Sequence, residues 1–286
     1  MDALAVRTGL TRRGARISAD AMVALGLLER DSDLYRNGPA ASQYLAGRGP
    51  ADLRPLLRFW DTISYPTWQA LAEALGSGPP RQVFDLDEAQ QAVMSAGIEA
   101  ILAGPAHTLP EVIDFTARRR LLDVGCGTGS WSMATVRRHP HLDATVFELP
   151  VTADIARARI AEVGLTHRIS VAVGGAMTDD LPAGFDVFLV ANLVHYWSPA
   201  DNLAAATHPP RRQGGRVPLA RRLLDRPHSH PAGPGRAHGR RVRRAPARRR
   251  RLQRREVRAW LPQADWRFVD HTQLARPQSV IVAEAD

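Results

Sequence analysis

The chain contains no lysine and a single cysteine, Cys126, although it has 286 residues. One cysteine cannot form an internal disulfide and gives no basis for a zinc cluster, so we predict a reducing compartment, the cytoplasm, and no metal site. The apolar run Val187–Val194 falls far short of the roughly 18–20 residues that a membrane-spanning helix needs. The N-terminus has neither the basic start nor the apolar block of a signal peptide. We therefore expect neither a membrane protein nor a secreted disulfide-rich protein.

Acidic residues are almost absent from one segment, which holds most of the excess positive charge. Residues 211–255 carry seventeen arginines and one acid, Asp225, a net charge of +16. Because the whole chain has a net charge of +9, the remainder carries −7 and is mildly acidic. All 38 basic residues are arginine, which indicates a GC-rich coding sequence because lysine codons are AT-rich.

The first hundred residues have the periodicity of a small helical domain. Thr11 is a candidate N-cap for a helix that runs to Leu25, and Gly26 is a suitable residue for its end. Two short strand patterns then flank the polar turn Asp31–Asp33. This order of helices followed by a hairpin predicts a winged helix.

Apolar residues at helical spacing continue after the hairpin, from Ala51 to Leu75 and from Asp87 to Leu102. The dipeptide Gly104-Pro105 predicts the end of the second stretch, because proline disrupts a helix interior. We place a domain boundary at this point. The sequence therefore predicts two domains, residues 1–105 and residues 106–286.

The second domain shows short apolar strands that alternate with helices, which predicts an α/β fold with a doubly wound, Rossmann-like parallel sheet. Two further strands near the C-terminus predict a closing hairpin. The predicted strands are Leu121–Val124, Ala144–Glu148, Ile169–Val173, Phe185–Val190, Trp266–His271 and Ser279–Ala283. The predicted helices between them are Ser130–Arg138, Thr152–Val163 and Pro199–Ala206.

Three alternate glycines, Gly125, Gly127 and Gly129, come directly after the first of these strands and before a helix. Such a loop lets a ligand approach the backbone closely. Glu148 ends the next strand about 25 residues after Asp123, where an acid can accept hydrogen bonds from both ribose hydroxyls. The Gly-x-Gly-x-Gly spacing favours a nucleoside without a pyrophosphate, and a tight turn without a ligand is the alternative interpretation.

Five segments, in matching order and spacing, resemble the S-adenosylmethionine-dependent O-methyltransferases of the plant caffeate and bacterial polyketide type. They are Leu121–Gly129, Glu148–Pro150, Gly175–Met177, Leu181–Asp186 and Val194–Trp197. The resemblance covers Leu4–Ala206 and Glu256–Ala285. It implies that residues 1–105 form a winged-helix dimerisation and substrate-capping domain of a homodimer, and that residues 106–286 form the catalytic domain.

The resemblance also implies an S-adenosylmethionine site at the carboxyl ends of the parallel strands. The glycine-rich loop is expected to hold the methionine portion, Glu148 the ribose, and Ala176 with Met177 the adenine. The predicted cofactor-binding residues are Asp123, Gly125, Gly127, Gly129, Glu148, Leu149, Gly175, Ala176, Met177, Asn192 and Trp197.

His195 corresponds to the general base of that family, which takes a proton from the acceptor hydroxyl; packing in the core is the alternative interpretation. The implied acceptor is a small aromatic or polyketide-like secondary metabolite, of the kind found in antibiotic biosynthesis. Three positions depart from the family pattern: Tyr196 replaces an acidic residue, Ala191 a basic residue, and Ala176 an aspartate. Backbone groups or Asp179 are candidates for the missing adenine contact.

Two other functions are compatible with the sequence. A winged helix with a basic arm could bind nucleic acid, although the predicted reading helix Thr11–Leu25 has arginines at only one end. The second alternative is a protein that has the methyltransferase fold but no transfer activity. The methyltransferase interpretation is favoured, with no nucleic-acid or membrane partner.

The arginine-rich segment 211–255 shows no helix or strand periodicity, and Pro218 argues against the fifth central strand that relatives have there. One explanation is a basic arm that neutralises phosphates. The other is a local reading-frame error in GC-rich DNA. We favour the frame error, because the interruption falls inside a core element.

Overall fold

The N-terminal residues form the helices and hairpin that the sequence predicts. In the computed structural model, the Thr11 hydroxyl accepts a hydrogen bond of 3.1 Å from the backbone N–H of Gly14, which confirms the predicted N-cap. The two short strands that follow pair in antiparallel fashion. These elements are α1 (Asp2–Thr8), α2 (Arg12–Ala24), β1 (Leu28–Asp31) and β2 (Leu34–Asn37).

The structure describes residues 1–47, 51–77, 86–194, 196–197, 199–207, 218–222, 257–275 and 278–285. The chain divides into two compact units, Met1–Ile101 and Leu102–Asp286. In the described part of the chain, no helix is both long and apolar enough to cross a bilayer.

The helical pattern between Ala51 and Leu75 becomes a series of short segments rather than one helix. Pro55 and Pro66 each lie near the start of a segment, where the missing N–H has no intrahelical partner to lose. A π-helical turn, Trp60–Ser64, joins two of the segments. The helices of this region are α3 (Pro39–Tyr44), α4 (Arg54–Phe59), α5 (Tyr65–Gln69) and α6 (Leu71–Ser77).

The predicted helix end at Gly104-Pro105 is wrong. The helix α7 runs from Glu88 to Val112 and contains both Pro105 and Pro110. Each proline removes one backbone hydrogen bond, but Leu102, Ala106 and Leu109 are buried. Burial of this apolar face offsets the lost bonds, because about 25 cal/mol is gained for each Å² removed from water.

The second unit contains a seven-stranded sheet, and the predicted α/β fold class is confirmed. The strand order is β5-β4-β3-β6-β7-β9-β8, in which the first five strands are parallel and β9 is antiparallel to both of its neighbours. The strands are β3 (Arg120–Val124), β4 (Asp143–Glu148), β5 (Ile169–Val173), β6 (Val187–Ala191), β7 (Pro218–Arg222), β8 (Trp266–Gln273) and β9 (Ser279–Ala285). The helices among them are α8 (Ser130–Arg138), α9 (Pro150–Glu162) and α10 (Pro199–Thr207).

The expectation that no fifth central strand lies within residues 211–255 is also wrong. Strand β7 pairs with β6 on one side and with β9 on the other. Pro218 occupies its first position, where a strand tolerates a residue without an N–H. The rest of the 211–255 segment lies outside the described residues, so the basic arm and the frame error both stay predictions.

The core of the sheet lies on both faces of its central strands. Alternate residues of β3 point to opposite sides, and Leu121, Leu122 and Val124 are all buried. Strand β6 is buried at all five positions, as expected for a parallel strand that is covered on both faces. A rigid central sheet therefore carries the loops at its carboxyl edge.

Candidate functional site

The glycine-rich loop after β3 adopts a backbone conformation that favours glycine. Gly125, Gly127 and Gly129 have φ angles of +63°, +59° and +81°. A β-carbon on Gly125 would lie 2.7 Å from Cδ2 of Leu193, whereas a β-carbon on Gly127 would meet nothing within 4 Å. The first glycine is therefore required for close packing against the loop after β6. The second keeps the backbone open to a ligand.

Glu148 ties the end of β4 to this loop. Its Oε2 accepts a hydrogen bond of 2.9 Å from the N–H of Gly127, and its Oε1 accepts one of 2.9 Å from the N–H of Leu149. Burial raises the pKa of the Glu148 carboxyl, and the two backbone hydrogen bonds oppose that shift. The carboxylate therefore lies where the sequence predicts it, at the carboxyl edge of the sheet beside the loop.

Asp123 lies below the loop rather than on its open side. Its side chain is fully buried, and its Oδ2 accepts a hydrogen bond of 2.8 Å from the hydroxyl of Ser132, which is also fully buried in α8. Its Oδ1 atom has no hydrogen-bond partner in the described part of the chain. Burial raises the pKa of Asp123 to about 7, because the charged form is poorly solvated there.

The loop after β5 forms the next part of the same edge. The N–H of Gly174 donates to the backbone oxygen of Glu148 over 3.0 Å, and the N–H of Gly175 donates to Oδ2 of Asp179 over 2.7 Å. The Asp179 carboxylate thus closes a turn around Ala176 and Met177. Met177 is 43% exposed, so an apolar side chain faces solvent close to the end of β4.

The segment after β6 completes the carboxyl edge. Asn192 has a φ of +59°, a strained conformation for a residue other than glycine, and its Oδ1 is buried without a hydrogen-bond partner. Trp197 is partly buried. His195, the predicted general base, lies outside the described residues, so its role stays a prediction.

Two residues of this edge were missed by the sequence interpretation. Asn202 of α10 is 1% exposed, and its Nδ2 donates to the backbone oxygens of Val194 over 2.9 Å and Trp197 over 3.1 Å. It therefore fixes the backbone on both sides of position 195. The second residue that the sequence interpretation missed is Ser132, whose hydroxyl donates to Asp123. The sequence did offer a signal for Asn202, because an asparagine among the alanines of α10 is unusual. It offered none for Ser132, because serine is common in the first turn of a helix.

The site as a whole fits a nucleoside that carries positive charge. Glu148 and Asp123 are both acidic, and in the described part of the chain no arginine or histidine forms an ion pair with either. Gly127 leaves room beside the loop, and the Glu148 carboxylate lies next to it. Among the described residues, no three metal-ligating side chains lie close enough together to hold an ion.

A Rossmann-like sheet with an open glycine loop and an acid at the end of the second strand is the arrangement of an α/β protein that binds a nucleoside. Comparison with known proteins gives the family. Residues 69–235 match the profile of the O-methyltransferase domain. The chain therefore belongs to the O-methyltransferase domain family; it is an enzyme, and S-adenosylmethionine is the cofactor of that family.

Two curated relatives illustrate the match. The tetracenomycin polyketide synthesis 8-O-methyl transferase TcmO of Streptomyces glaucescens is 35% identical over 78% of this chain and 68% of its own. The 3-hydroxy-5-methyl-1-naphthoate 3-O-methyltransferase of Streptomyces sahachiroi is 31% identical over 79% of this chain and 68% of its own. Human N-acetylserotonin methyltransferase in complex with SAM shares the fold, with a TM-score of 0.76, 19% identity, and coverage of 98% of this chain and 87% of that one.

Proposed function

We propose that this enzyme transfers the methyl group of S-adenosylmethionine to a hydroxyl group of a small aromatic or polyketide-derived secondary metabolite. The observation that carries the proposal is the contact between Glu148 and the N–H of Gly127, which joins the ribose-binding acid to the glycine-rich loop. The two curated relatives named above support the substrate class, because both are O-methyltransferases of aromatic or polyketide compounds.

The cofactor supplies an electrophilic methyl group on a positively charged sulfur. The chain's own residues must bind it, orient the acceptor and remove one proton. The glycine-rich loop and Glu148 bind the nucleoside, while Leu149, Met177 and Trp197 flank it with apolar surface; Leu149 and Met177 are exposed at this edge. Asn192 borders the same edge at the end of β6, and these assignments are part of the proposal.

His195 is proposed as the general base that accepts the proton of the acceptor hydroxyl as its oxygen attacks the methyl carbon. A neutral imidazole suits this role near neutral pH, since the ordinary pKa of histidine is about 6.5. In the sequence it lies between Val194 and Trp197, whose backbone oxygens are both held by Asn202. Fixed backbone before and after position 195 favours orientation of a catalytic group placed there.

Replacement of the base tests the catalytic part of the proposal. We expect His195→Ala to lower methyl transfer by about 10²–10⁴-fold, because that is what a positioned general base contributes. Cofactor binding should be unchanged, because the binding residues remain in place. Transfer would be measured with hydroxylated naphthoates and aromatic polyketides as acceptors, and cofactor binding by calorimetry.

Comparison of the wild type with His195→Ala separates the proposed function from its alternatives. A folded wild-type chain that binds the cofactor but methylates no hydroxyl acceptor would indicate a silent methyltransferase fold. Equal transfer by the wild type and His195→Ala would show that His195 is not the base. Nucleic-acid binding has little support, because Arg16 is paired with Asp33 at 2.7 Å and Arg12 with Asp2 at 3.0 Å.

We also propose that the enzyme is a cytoplasmic homodimer assembled through its first unit. Large apolar side chains of that unit are exposed, and Val6, Leu25, Leu34 and Leu75 are between 68% and 83% accessible. Exposed apolar surface of this kind, where it is contiguous, marks protein–protein contact sites. Light scattering of the purified chain tests this, since a monomer at micromolar concentration would contradict it.

A further inference from the structure

A fully buried carboxyl group lies under the glycine-rich loop, and one of its two oxygens has no partner among the described residues. The Oδ2 of Asp123 accepts a hydrogen bond from the Ser132 hydroxyl, whereas its Oδ1 accepts none from the described part of the chain. Both side chains are inaccessible to solvent. An unpaired oxygen of this kind is unfavourable in the interior, whether it carries a charge or a proton.

Among the described residues, no cationic group interacts with Asp123. Cys126 comes from the loop above and Glu148 from the neighbouring strand β4, and both interact with it electrostatically. Ser132 contributes a neutral hydroxyl from α8. Burial accordingly raises the pKa of Asp123 to about 7, so the group holds a proton for part of the time at neutral pH.

The loop above Asp123 is also the loop to which Glu148 is tied. Gly127 donates to Glu148, and Gly125 follows Asp123 by two residues. A cation bound over this loop would therefore be near the loop's own acid, Glu148, and near the strand end that holds Asp123. Since unit charges interact by several kcal/mol at about 4 Å near a protein surface, a bound cation favours the ionised form of a buried carboxyl.

We propose that S-adenosylmethionine binding releases a proton from Asp123, so that the positive charge of the cofactor replaces the proton beneath the glycine-rich loop. The O–H bond of the carboxyl breaks, the proton passes to the solvent, and the carboxylate remains hydrogen-bonded to Ser132. The inference rests on the proposed use of this site by the cofactor. Asp123 is thus a residue that adjusts the charge of the site without contacting the reacting atoms.

Because proton release and cofactor binding are thermodynamically linked, the release can be measured through the pH dependence of cofactor affinity. If the free chain protonates Asp123 with a pKa of about 7 and the complex does not, the affinity for the cofactor must rise with pH. We expect about a tenfold gain between pH 6 and pH 8, and release of about half a proton for each cofactor bound at pH 7. The gain should level off above pH 8, because Asp123 is then ionised in the free chain as well.

Calorimetric titration with S-adenosylmethionine at pH 7, in phosphate and in Tris, counts the protons. These buffers differ in their enthalpy of ionisation, so a released proton makes the apparent binding enthalpy differ between them. The wild type should show this difference, and Asp123→Asn should not. A difference that persists in Asp123→Asn, or one that is absent from the wild type while binding is intact, would overturn the inference.

Ser132→Ala is the second variant, because it keeps the titrating group and removes its hydrogen-bond donor. Without that donor the ionised form is less stable, so proton release should extend to higher pH than in the wild type. S-adenosylhomocysteine, which lacks the charge on sulfur, should release fewer protons than S-adenosylmethionine. Equal release by the two ligands, or an unchanged pH range in Ser132→Ala, would contradict the proposal.

A measurement without cofactor separates this inference from the proposed function. The free energy of unfolding of the wild type relative to Asp123→Asn should fall as the pH rises from 4 to 7, because the folded chain binds the additional proton in that range. A flat difference would overturn the inference even where binding is normal. No cofactor binding by a folded chain would instead contradict the proposed function, and the inference with it.

Discussion

The two halves of the central sheet differ in how their strands are specified. The parallel half, β5-β4-β3-β6, consists of strands whose own residues identify them, and it carries the glycine-rich loop and Glu148 at its carboxyl edge. The other half, β7-β9-β8, is closed by a hairpin, and β7 is identified by its two neighbours rather than by its composition. Under the proposed function, the half formed by β5-β4-β3-β6 carries the cofactor site, and the other half completes the sheet.

The strongest test of this division is the removal of one glutamate from each half. Glu148→Ala removes a partly buried acid that accepts two backbone hydrogen bonds. Cofactor affinity should fall about 100-fold or more, because hydrogen bonds to charged groups contribute roughly 1.5–3 kcal/mol each. Calorimetry with S-adenosylmethionine measures the loss.

Glu284→Ala is the matched control in β9. Glu284 forms an ion pair with Arg267 at the surface, so its removal should change neither cofactor affinity nor stability by more than a small amount. Equal losses of affinity in the two variants would show that the halves are not functionally distinct.

The second test concerns β7 itself. Ala220 lies opposite Leu189 of β6 and Val282 of β9, so a proline at this position removes a ladder hydrogen bond in a central strand. We expect Ala220→Pro to lower the free energy of unfolding by about 2–3 kcal/mol, measured by chemical denaturation.

Pro218→Ala provides the comparison for that substitution. Pro218 is the first residue of β7, so its replacement should leave stability nearly unchanged or raise it slightly. Stabilities that respond equally at positions 218 and 220 would contradict the assignment of β7 as a central strand.

Apart from the controls, the substitution with the smallest expected effect on stability is in the segment beyond the end of β6, where the two halves of the sheet meet. Asn202→Ala removes the donor that holds the backbone oxygens of Val194 and Trp197. Stability should fall by about 1–3 kcal/mol, because two buried acceptors lose their partner. Methyl transfer should fall further than cofactor affinity if the segment positions the base.

Ala200→Ser is the control for Asn202→Ala, because Ala200 lies at an exposed position of the same helix. It should change neither the stability nor the rate of methyl transfer appreciably. A loss of stability in Asn202→Ala without any loss of transfer would mean that the asparagine supports the fold alone.

The predicted features that the structure confirms depend on short stretches of sequence. Helix Ser130–Arg138 and strand Ile169–Val173 were predicted with the observed bounds, and the N-cap at Thr11 forms as expected. Each is specified by apolar periodicity or by a capping residue within one turn or one strand. The glycine loop is predictable for the same reason, since its conformation is required locally.

The features that sequence interpretation missed depend on residues far apart in the chain. Helix α7 continues through Pro105 because its apolar face is buried, and β7 forms because β6 and β9 each offer an unpaired edge. Neither partner is visible in the local pattern. Local rules for proline therefore gave the wrong result in both places.

The sequence by itself determined the fold class, the glycine-rich loop and the acid that faces it, because strand and loop patterns fix the backbone within a few residues. Only the tertiary structure decided that Asp123 lies buried against Ser132, and that Asn202 holds the two sides of position 195. The physical reason is that desolvation and buried hydrogen bonds are properties of a packed interior. They arise only when helices α8 and α10 are laid against the sheet.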